Sequence, residues 1–403
     1  MNKERLKETI HSLSQDEEKR KELIEILREH IKGMVKEVLE EVALIEREAY
    51  CEENDDTGNG FYERSLRGLN GEIELRVPRT RRGGFRPFFI ERYKRTSYEL
   101  EEIVVAMYAG GCSTRDISNT ISNLIEGKYS ASWVSRVTDA IKDKVEEFRK
   151  RPIEKWFPFL FIDGVVLKIR RGNVEGEVVY VALGIDEDGH REVLGFWLFG
   201  AEGESAIIWE EILRELCERG LSEPLCVIGD NLPGLADAVK KVFPKADFQV
   251  CLLHKMRNTL NKVRRRDREA VGEDLKRICS QPTKEAFEDE VRRFQREWGQ
   301  RYPGIGKSWL EDISNLTSFL KYPQEIRAYI YTTNHLERFM KEVRRRAKVI
   351  EIFPQEDAAS KILYIVSKEM NERYSRKVLR YFEAVKEKLL EIRRMRYGYG
   401  QGK

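Results

Sequence analysis

The sequence predicts an α/β protein whose core is one mixed sheet, with helices before it and a helical stretch set into it. Three observations predict this. Three apolar, β-branched runs follow one another between 157 and 199, separated by short turns. Helix and strand patterns then alternate as far as residue 254, and from 255 onward only helical periodicity remains. Runs joined by tight turns pair antiparallel, whereas runs separated by a helix return parallel, so the sheet begins one way and ends the other.

Composition bounds the rest. The 403 residues are 41% hydrophobic and 35% charged, enough chain for several domains and a sizeable core. No apolar run approaches the roughly eighteen residues of a membrane span. The opening MNKERLKETIHSLSQDEEKR has no apolar centre of the kind an export signal needs, so a cytoplasmic protein with reduced thiols is expected. Its six cysteines (51, 112, 217, 226, 251, 279) follow no framework spacing. The net charge of +3 hides an uneven distribution. Residues 1–50 carry 10 basic against 13 acidic side chains, and residues 62–98 carry 10 against 4. Local charge is what phosphate groups respond to.

In chain order, residues 21–50 place Ile24, Leu27, Ile31, Met34, Val38, Val42 and Ile45 at three-and-four spacing, one apolar stripe on a long helix. The stripe suits packing within the chain or self-association. The turn-rich ENDDTGNG (53–60) then reads as a linker. GEIELRVPRTRRGGFRPFFIERY (71–93) alternates on both sides of TRRGG and predicts a β-hairpin whose turn carries Arg79, Arg81, Arg82 and Arg86, candidates for a DNA backbone or minor groove. Three helices follow at 98–109, about 113–124 and about 130–147. Gly110–Gly111 stops the first, Ser113 caps the second, Glu126–Gly127 turns, and Ser130 or Ser132 caps the third. This is the pattern of a helix-turn-helix, with Ser132, Trp133, Ser135 and Arg136 toward DNA.

WFPFLFIDG, EVVYVALGID and HREVLGFWLFG are the three strands, joined by RGNVEG and EDG. A helix over 205–219 turns Ile207, Ile208, Ile212, Leu213 and Leu216 inward, and Trp209 on it is a core residue or a platform for an unpaired base. Strand LCVIGD, helix 234–243 and strand DFQVCLLH (247–254) complete an order that matches a ribonuclease H-like fold. Residues 255–330 read as an all-helical insertion, and 335–350 with 355–394 as two basic helices parted by Ile352–Phe353–Pro354. The predicted domains are 1–60, 61–97, 98–150, 151–254, 255–330 and 331–403.

The chemistry rests on Asp163 and Asp230, each closing an apolar run, and on Glu337 in the first turn of a basic helix. Three carboxylates from two strands and a distant helix suit two Mg²⁺ ions, with Mn²⁺ able to substitute, and hence phosphoryl transfer. Each has a plainer alternative: a cap, a turn, and for Glu337 a capping box with Asn334. Cys251-x-x-His254 is half of a structural zinc site, with no second pair at usable spacing, and is better read as active-site support or a DNA contact. Arg338, Lys341, Arg344, Arg345, Arg346 and Lys348 make the helix after Glu337 a candidate phosphate-binding face.

Four segments resemble bacterial insertion-sequence transposases related to Mutator elements. They are the strands around Asp163 with EDGHREVLGF, CVIGDNLPGLADAVKKVFPKADFQVCLLHKMRN, YTTNHLERFMKEVRRRAKVIEIFP, and the helix-turn-helix-like segment before them. The resemblance implies a ribonuclease H-like core with a helical insertion and Mg²⁺-dependent cleavage of element ends. It also implies joining by the freed 3′-hydroxyl, and a dimer or higher assembly on double-stranded DNA that recognises terminal inverted repeats and target DNA. No membrane and no small-molecule substrate are expected. Departures are His335, where a small or aliphatic residue is usual, and Asn231-Leu-Pro-Gly in place of a more polar loop. The alternatives are a non-catalytic DNA-binding regulator and a ribonuclease H-like nuclease or resolvase.

Overall fold

A computed structural model describes residues 17–68, 71–90, 96, 98–125, 128–171, 173–199 and 206–398. The Glu126–Gly127 turn, the end of the predicted second hairpin strand at 91–93 and the first sixteen residues lie outside them. The chain divides into two compact units, residues 1–140 and 141–403. Among the described residues no helix is long and apolar enough to cross a membrane. All six cysteines are free thiols.

The first unit opens with α1 (Glu17–Asn54), then β1 (Gly58–Gly68) and β2 (Gly71–Thr80). β1 and β2 pair antiparallel from Gly68↔Gly71 to Gly58↔Thr80, with a bulge between Gly58 and Phe61. The hairpin therefore begins at Gly58, within the last three residues of the supposed linker. Arg81, Arg82 and Arg86 lie in a strandless loop after it, not in its turn. Val35 and Leu39 of α1 pack on the hairpin face of Leu66, Ile73, Leu75 and Val77. Glu40 and Glu46 accept the backbone N–H groups of Arg76 (2.7 Å) and Phe88 (3.1 Å), tying strand and loop to the helix.

Next come α2 (Tyr98–Ala109), α3 (Thr114–Leu124) and α4 (Ala131–Lys150). Ser113 caps α3 by accepting from the Asp116 N–H, and Ser130 accepts from Trp133 N at the start of α4. Such caps satisfy donors that the first helical turn leaves free.

The second unit is built on β3 (Phe159–Arg171), β4 (Asn173–Ile185), β5 (Arg191–Leu198), α5 (Ala206–Glu218), β6 (Cys226–Gly229), α6 (Leu235–Val242) and β7 (Asp247–Val250). The strand order is β5-β4-β3-β6-β7. The β3–β4 and β4–β5 pairs are antiparallel, and β3–β6 and β6–β7 are parallel. β3 does not end at Asp163. It continues with Val165, Leu167 and Ile169 buried and Val166, Lys168 and Arg170 turned outward. On α5, Ile208, Trp209, Ile212, Leu213 and Leu216 are buried, whereas Ile207 is 76% exposed and belongs to the outer face.

From Leu252 the chain is helical. α7 (Leu252–Asn261) begins inside the predicted DFQVCLLH strand, and α8 (Arg268–Cys279), α9 (Lys284–Trp298), α10 (Pro303–Glu311), α11 (Ile313–Leu316) and α12 (Arg327–Ile330) follow. Their core contains Val271, Leu275, Phe287, Phe294 and Trp309, with Trp298 Nε1 donating to Asp274 at 2.7 Å. Gln249 of β7 anchors this stretch: its Nε2 donates to Leu316 O and its Oε1 accepts from Phe319 N.

The chain then returns as α13 (Asn334–Ile350), α14 (Glu356–Ser375) and α15 (Phe382–Tyr397). The sequence predicted one helix where α14 and α15 stand. Between α13 and α14, Phe353 docks beside β3, exchanging hydrogen bonds with Lys168 and Arg170.

Candidate active site

The register of the sheet gathers the site. Ile162 of β3 faces Gly229 of β6, and Gly229 faces Val250 of β7. The next residue on each strand path is Asp163, Asp230 and Cys251. These three therefore form one row, at the edge where β6 and β7 stop and β3 runs on. Crevices beyond the carboxyl ends of parallel strands are where α/β sheets place ligands.

The two aspartates feel each other. Burial, and then the charge of Asp230, push the Asp163 carboxyl up to about 6, against one Gly164 N–H donated at 2.8 Å. Opposing charge comes from His254, in the first turn of α7. Its Nδ1 contacts Asp230 Oδ1, and its Nε2 lies 3.4 Å from Glu337 Oε1. The hydrogen bond to Asp230, followed by that to Cys251, raises the His254 pKa to about 10, so the imidazole is a cation. Cys251 is fully buried and accepts from the backbone N and the hydroxyl of Thr333, each at 3.4 Å.

Glu337 comes from α13, which packs on β3 and β4. The helix begins after Thr333 without a side-chain cap, and the Glu337 carboxylate reaches His254 and Arg257 rather than its own helix start. The Arg257 pair, at 3.4 Å with the guanidinium 58% exposed, contributes under about 1 kcal/mol and leaves Glu337 free to exchange partners. Arg257 escaped the sequence reading. Its position three residues after His254, on the same helix face, is the signal that could have found it. Thr333 was also missed, and its hydroxyl is specified by tertiary contacts with Cys251 and, at 3.5 Å, with His254 Nδ1.

The remaining sequence candidates divide. On α13, Lys341, Arg344 and Lys348 share the face of Glu337 and are exposed, and the charge of Arg344 acts on Asp163. Arg338 and Arg345 are exposed, with Arg345 paired to Glu342. Arg346 is a correction: it is 4% exposed and binds Glu369 at 2.7 Å, so it braces α13 against α14 and presents nothing to phosphate. For Trp209 the core reading holds and the base-platform alternative does not. The indole is wholly buried, edge-on to Tyr180 at 4.6 Å, with no ring face open to a base. In the first unit Arg79, Arg81, Arg82 and Arg86 are exposed; Arg79 also donates to Phe61 O, and Arg82 pairs with Asp55. On α4, Ser132 and Arg136 are exposed, while Trp133 and Ser135 are half-buried. His335 is buried between Phe161 and Tyr329, and burial lowers its pKa to about 3.

Asp163, Asp230 and Glu337 make an oxygen donor set of the type hard divalent cations take. Asp230, Cys251 and His254 offer a mixed set whose ligand atoms lie within 4.8 Å of one another. In the metal-free site the raised pKa keeps a proton on this imidazole, which a metal would have to displace to use the ring as a ligand.

The chain as a whole has relatives among known proteins. The sequence profile described as "Transposase, Mutator family" matches residues 1–377. The transposase for insertion sequence element IS1201 of Lactobacillus helveticus is 34% identical over 340 residues, covering 83% of this chain and 91% of its own. The transposase for ISRM3 of Rhizobium meliloti is 34% identical over 328 residues (81% and 82%). The transposase for IS256 in transposon Tn4001 of Staphylococcus aureus is 32% identical over 330 residues (80% and 84%). With a match over nearly its full length, this chain belongs to the Mutator family of transposases.

Proposed function

We propose that the protein cleaves the ends of an insertion sequence and joins the freed 3′-hydroxyl to target or opposite-end DNA, using Asp163, Asp230 and Glu337 on a ribonuclease H-like core. The observation that carries the reading is the convergence of these carboxylates: two in one row of the sheet, the third brought by α13 to within reach of His254. The strand order, three antiparallel strands followed by two parallel ones, supports the fold assignment.

The donor set fits two Mg²⁺ ions. Burial, and then the charge of Asp230, raise the pKa of Asp163, and a divalent cation would offset both. When bound, such ions supply Lewis-acid activation of water or a 3′-hydroxyl and offset charge at the scissile phosphate. Asp163, Asp230 and Glu337 would hold the ions. His254 keeps Asp230 and Glu337 oriented toward a common point. Lys341, Arg344 and Lys348, on the Glu337 face, hold the DNA backbone beside the carboxylates.

Recognition of terminal inverted repeats falls to the first unit in this reading. α2 to α4 act as a helix-turn-helix with Ser132 and Arg136 toward the bases, and the loop of Arg81, Arg82 and Arg86 lies along phosphate.

The test incubates purified protein with duplex element ends and Mg²⁺ or Mn²⁺. Wild type should nick and join; Asp163→Asn and Glu337→Gln should bind DNA yet do neither. Variants as active as wild type would remove the assignment. A wild type that binds but never cuts would support the regulator.

A further inference from the structure

We propose that the cleft where the β4–β5 turn meets α14 binds a phosphate group, with the Arg191 guanidinium as its anchor. This does not rest on the reaction assigned above. The cleft has a volume of about 230 Å³, and its walls include Lys155, Asp186, His190, Arg191, Asn371 and Ser375. It lies apart from the carboxylates. Arg191 faces Ile185 of β4, whereas Asp163 faces Val181. The two positions differ by four residues, roughly 13 Å, along the strand.

Arg191 carries the argument. It is 6% exposed, yet among the described residues no carboxylate pairs with its guanidinium and no oxygen accepts from it. The Nε is buried without a partner. The Tyr374 ring centroid lies 4.3 Å from the guanidinium carbon and covers one face of the plane. A ring face attracts the charge but takes up none of the N–H groups, which point outward in that plane. Burial depresses the pKa of this guanidinium, and the positive charge of Arg338 on α13 adds to the effect. A buried, unmatched charge is costly, and an anion beside it offsets the cost.

The other walls are already engaged. Asp186 accepts from Lys155 Nζ at 3.1 Å and from the backbone N–H groups of Asp188 and His190 at 3.2 and 2.7 Å. Glu192, also at the cleft, accepts from Arg151 at 2.8 Å. Asn371 commits its amide to both backbone groups of Val193, and Ser375 donates to Glu372 O. Among the described residues, Arg191 is thus the one Lys, Arg, Asp or Glu of the cleft without a counter-ion. A cation finds no open carboxylate here. An anion finds a planar fork that meets two phosphate oxygens at once, and the Lys155 ammonium, 61% exposed, adds a movable charge at the rim. The volume admits a tetrahedral ion with the first atoms it is esterified to, so the group can arrive free or as the end of a DNA strand.

The experiment is isothermal titration calorimetry of the full chain at fixed ionic strength, without divalent metal. The probes are inorganic phosphate and a short duplex made with and without a 5′-phosphate. Inorganic phosphate that binds wild type, and binds Arg191→Met at least about tenfold more weakly, identifies a site for the free ion. A 5′-phosphate that tightens duplex binding by wild type but not by Arg191→Met identifies the strand end as the source. Lys155→Ala, at an exposed position, should weaken the same binding several-fold, and it decides the matter if Arg191→Met does not fold. A wild type indifferent to every phosphate offered overturns the proposal. So does binding that survives Arg191→Met unchanged or, where that variant is unfolded, survives Lys155→Ala.

Discussion

Asp163 and Asp230 stand side by side because each directly follows a member of the same matched pair, Ile162 and Gly229. The contact is set by strand register rather than by side-chain choice, so a one-residue slip of β6 would carry Asp230 to the opposite face of the sheet. The glycine matters to this. A Cβ on Gly229 would meet Leu235 at 2.8 Å and the backbone oxygen of Ile162 at 3.2 Å.

A carboxyl raised from 3.8 to about 6 holds its proton more tightly in the folded protein than in the unfolded chain. Its effect on stability therefore worsens as pH rises from about 4 to about 6 and stays unfavourable above. Without metal, Asp163→Asn should be more stable than wild type at pH 8, by on the order of 2–3 kcal/mol. The difference should vanish below about pH 4. Urea denaturation across pH in a chelating buffer measures it.

His254 has the opposite sign. Its pKa is raised to about 10, so its stabilising contribution is complete below about 6.5 and is lost as pH climbs through about 10. In metal-free protein the His254 ring should give imidazolium chemical shifts by NMR at pH 8. His254→Asn should flatten the loss of thermal stability between pH 7 and 10.

Arg344 and Arg346 are two positions apart and should behave unlike each other. Arg344→Ala should leave unfolding unchanged, weaken binding to any duplex and lower the slope of log affinity against log salt by about 1. Arg346→Ala should cost roughly 1–3 kcal/mol of stability, since it strips Glu369 of a buried partner, with the salt slope unchanged. Denaturant titration and salt-dependent binding separate the two.

Trp209→Ala should destabilise the second unit by about 3–5 kcal/mol through the cavity it leaves under Tyr180. If the variant instead unfolds like wild type and loses only affinity for unpaired bases, the ring is not the core residue described here.

Much of this was legible in the sequence. Asp163 and Asp230 were found because apolar β-branched runs ending in a lone acid are conspicuous, and α2, α3 and α4 because Gly110, Ser113 and Ser130 punctuate them. What was not legible depends on contacts distant in sequence. The break before α15 has neither Gly nor Pro. It is held by Leu379 N donating to Gly189 O and by Phe382 packing on Phe159 and Tyr329. Gly189, at φ +85°, has its own reason to be glycine, since a Cβ there would meet Phe382 at 2.7 Å. The hairpin was misplaced because Gly58 and Gly60 look like a linker, and only the pairing of Gly58, and of Phe61 onward, with β2 makes this segment strand. α7 begins early because Leu252 N finds Tyr331 O, a partner invisible to local pattern.

Since Glu337 reaches the sheet only after the whole helical stretch from Leu252 to Ile330 has been made and packed, the acidic trio assembles late in synthesis. A nascent or truncated chain can own a finished sheet and still lack its third carboxylate. On the proposed assignment of the trio, strand chemistry therefore waits until α13 has been made, when the polypeptide is nearly whole.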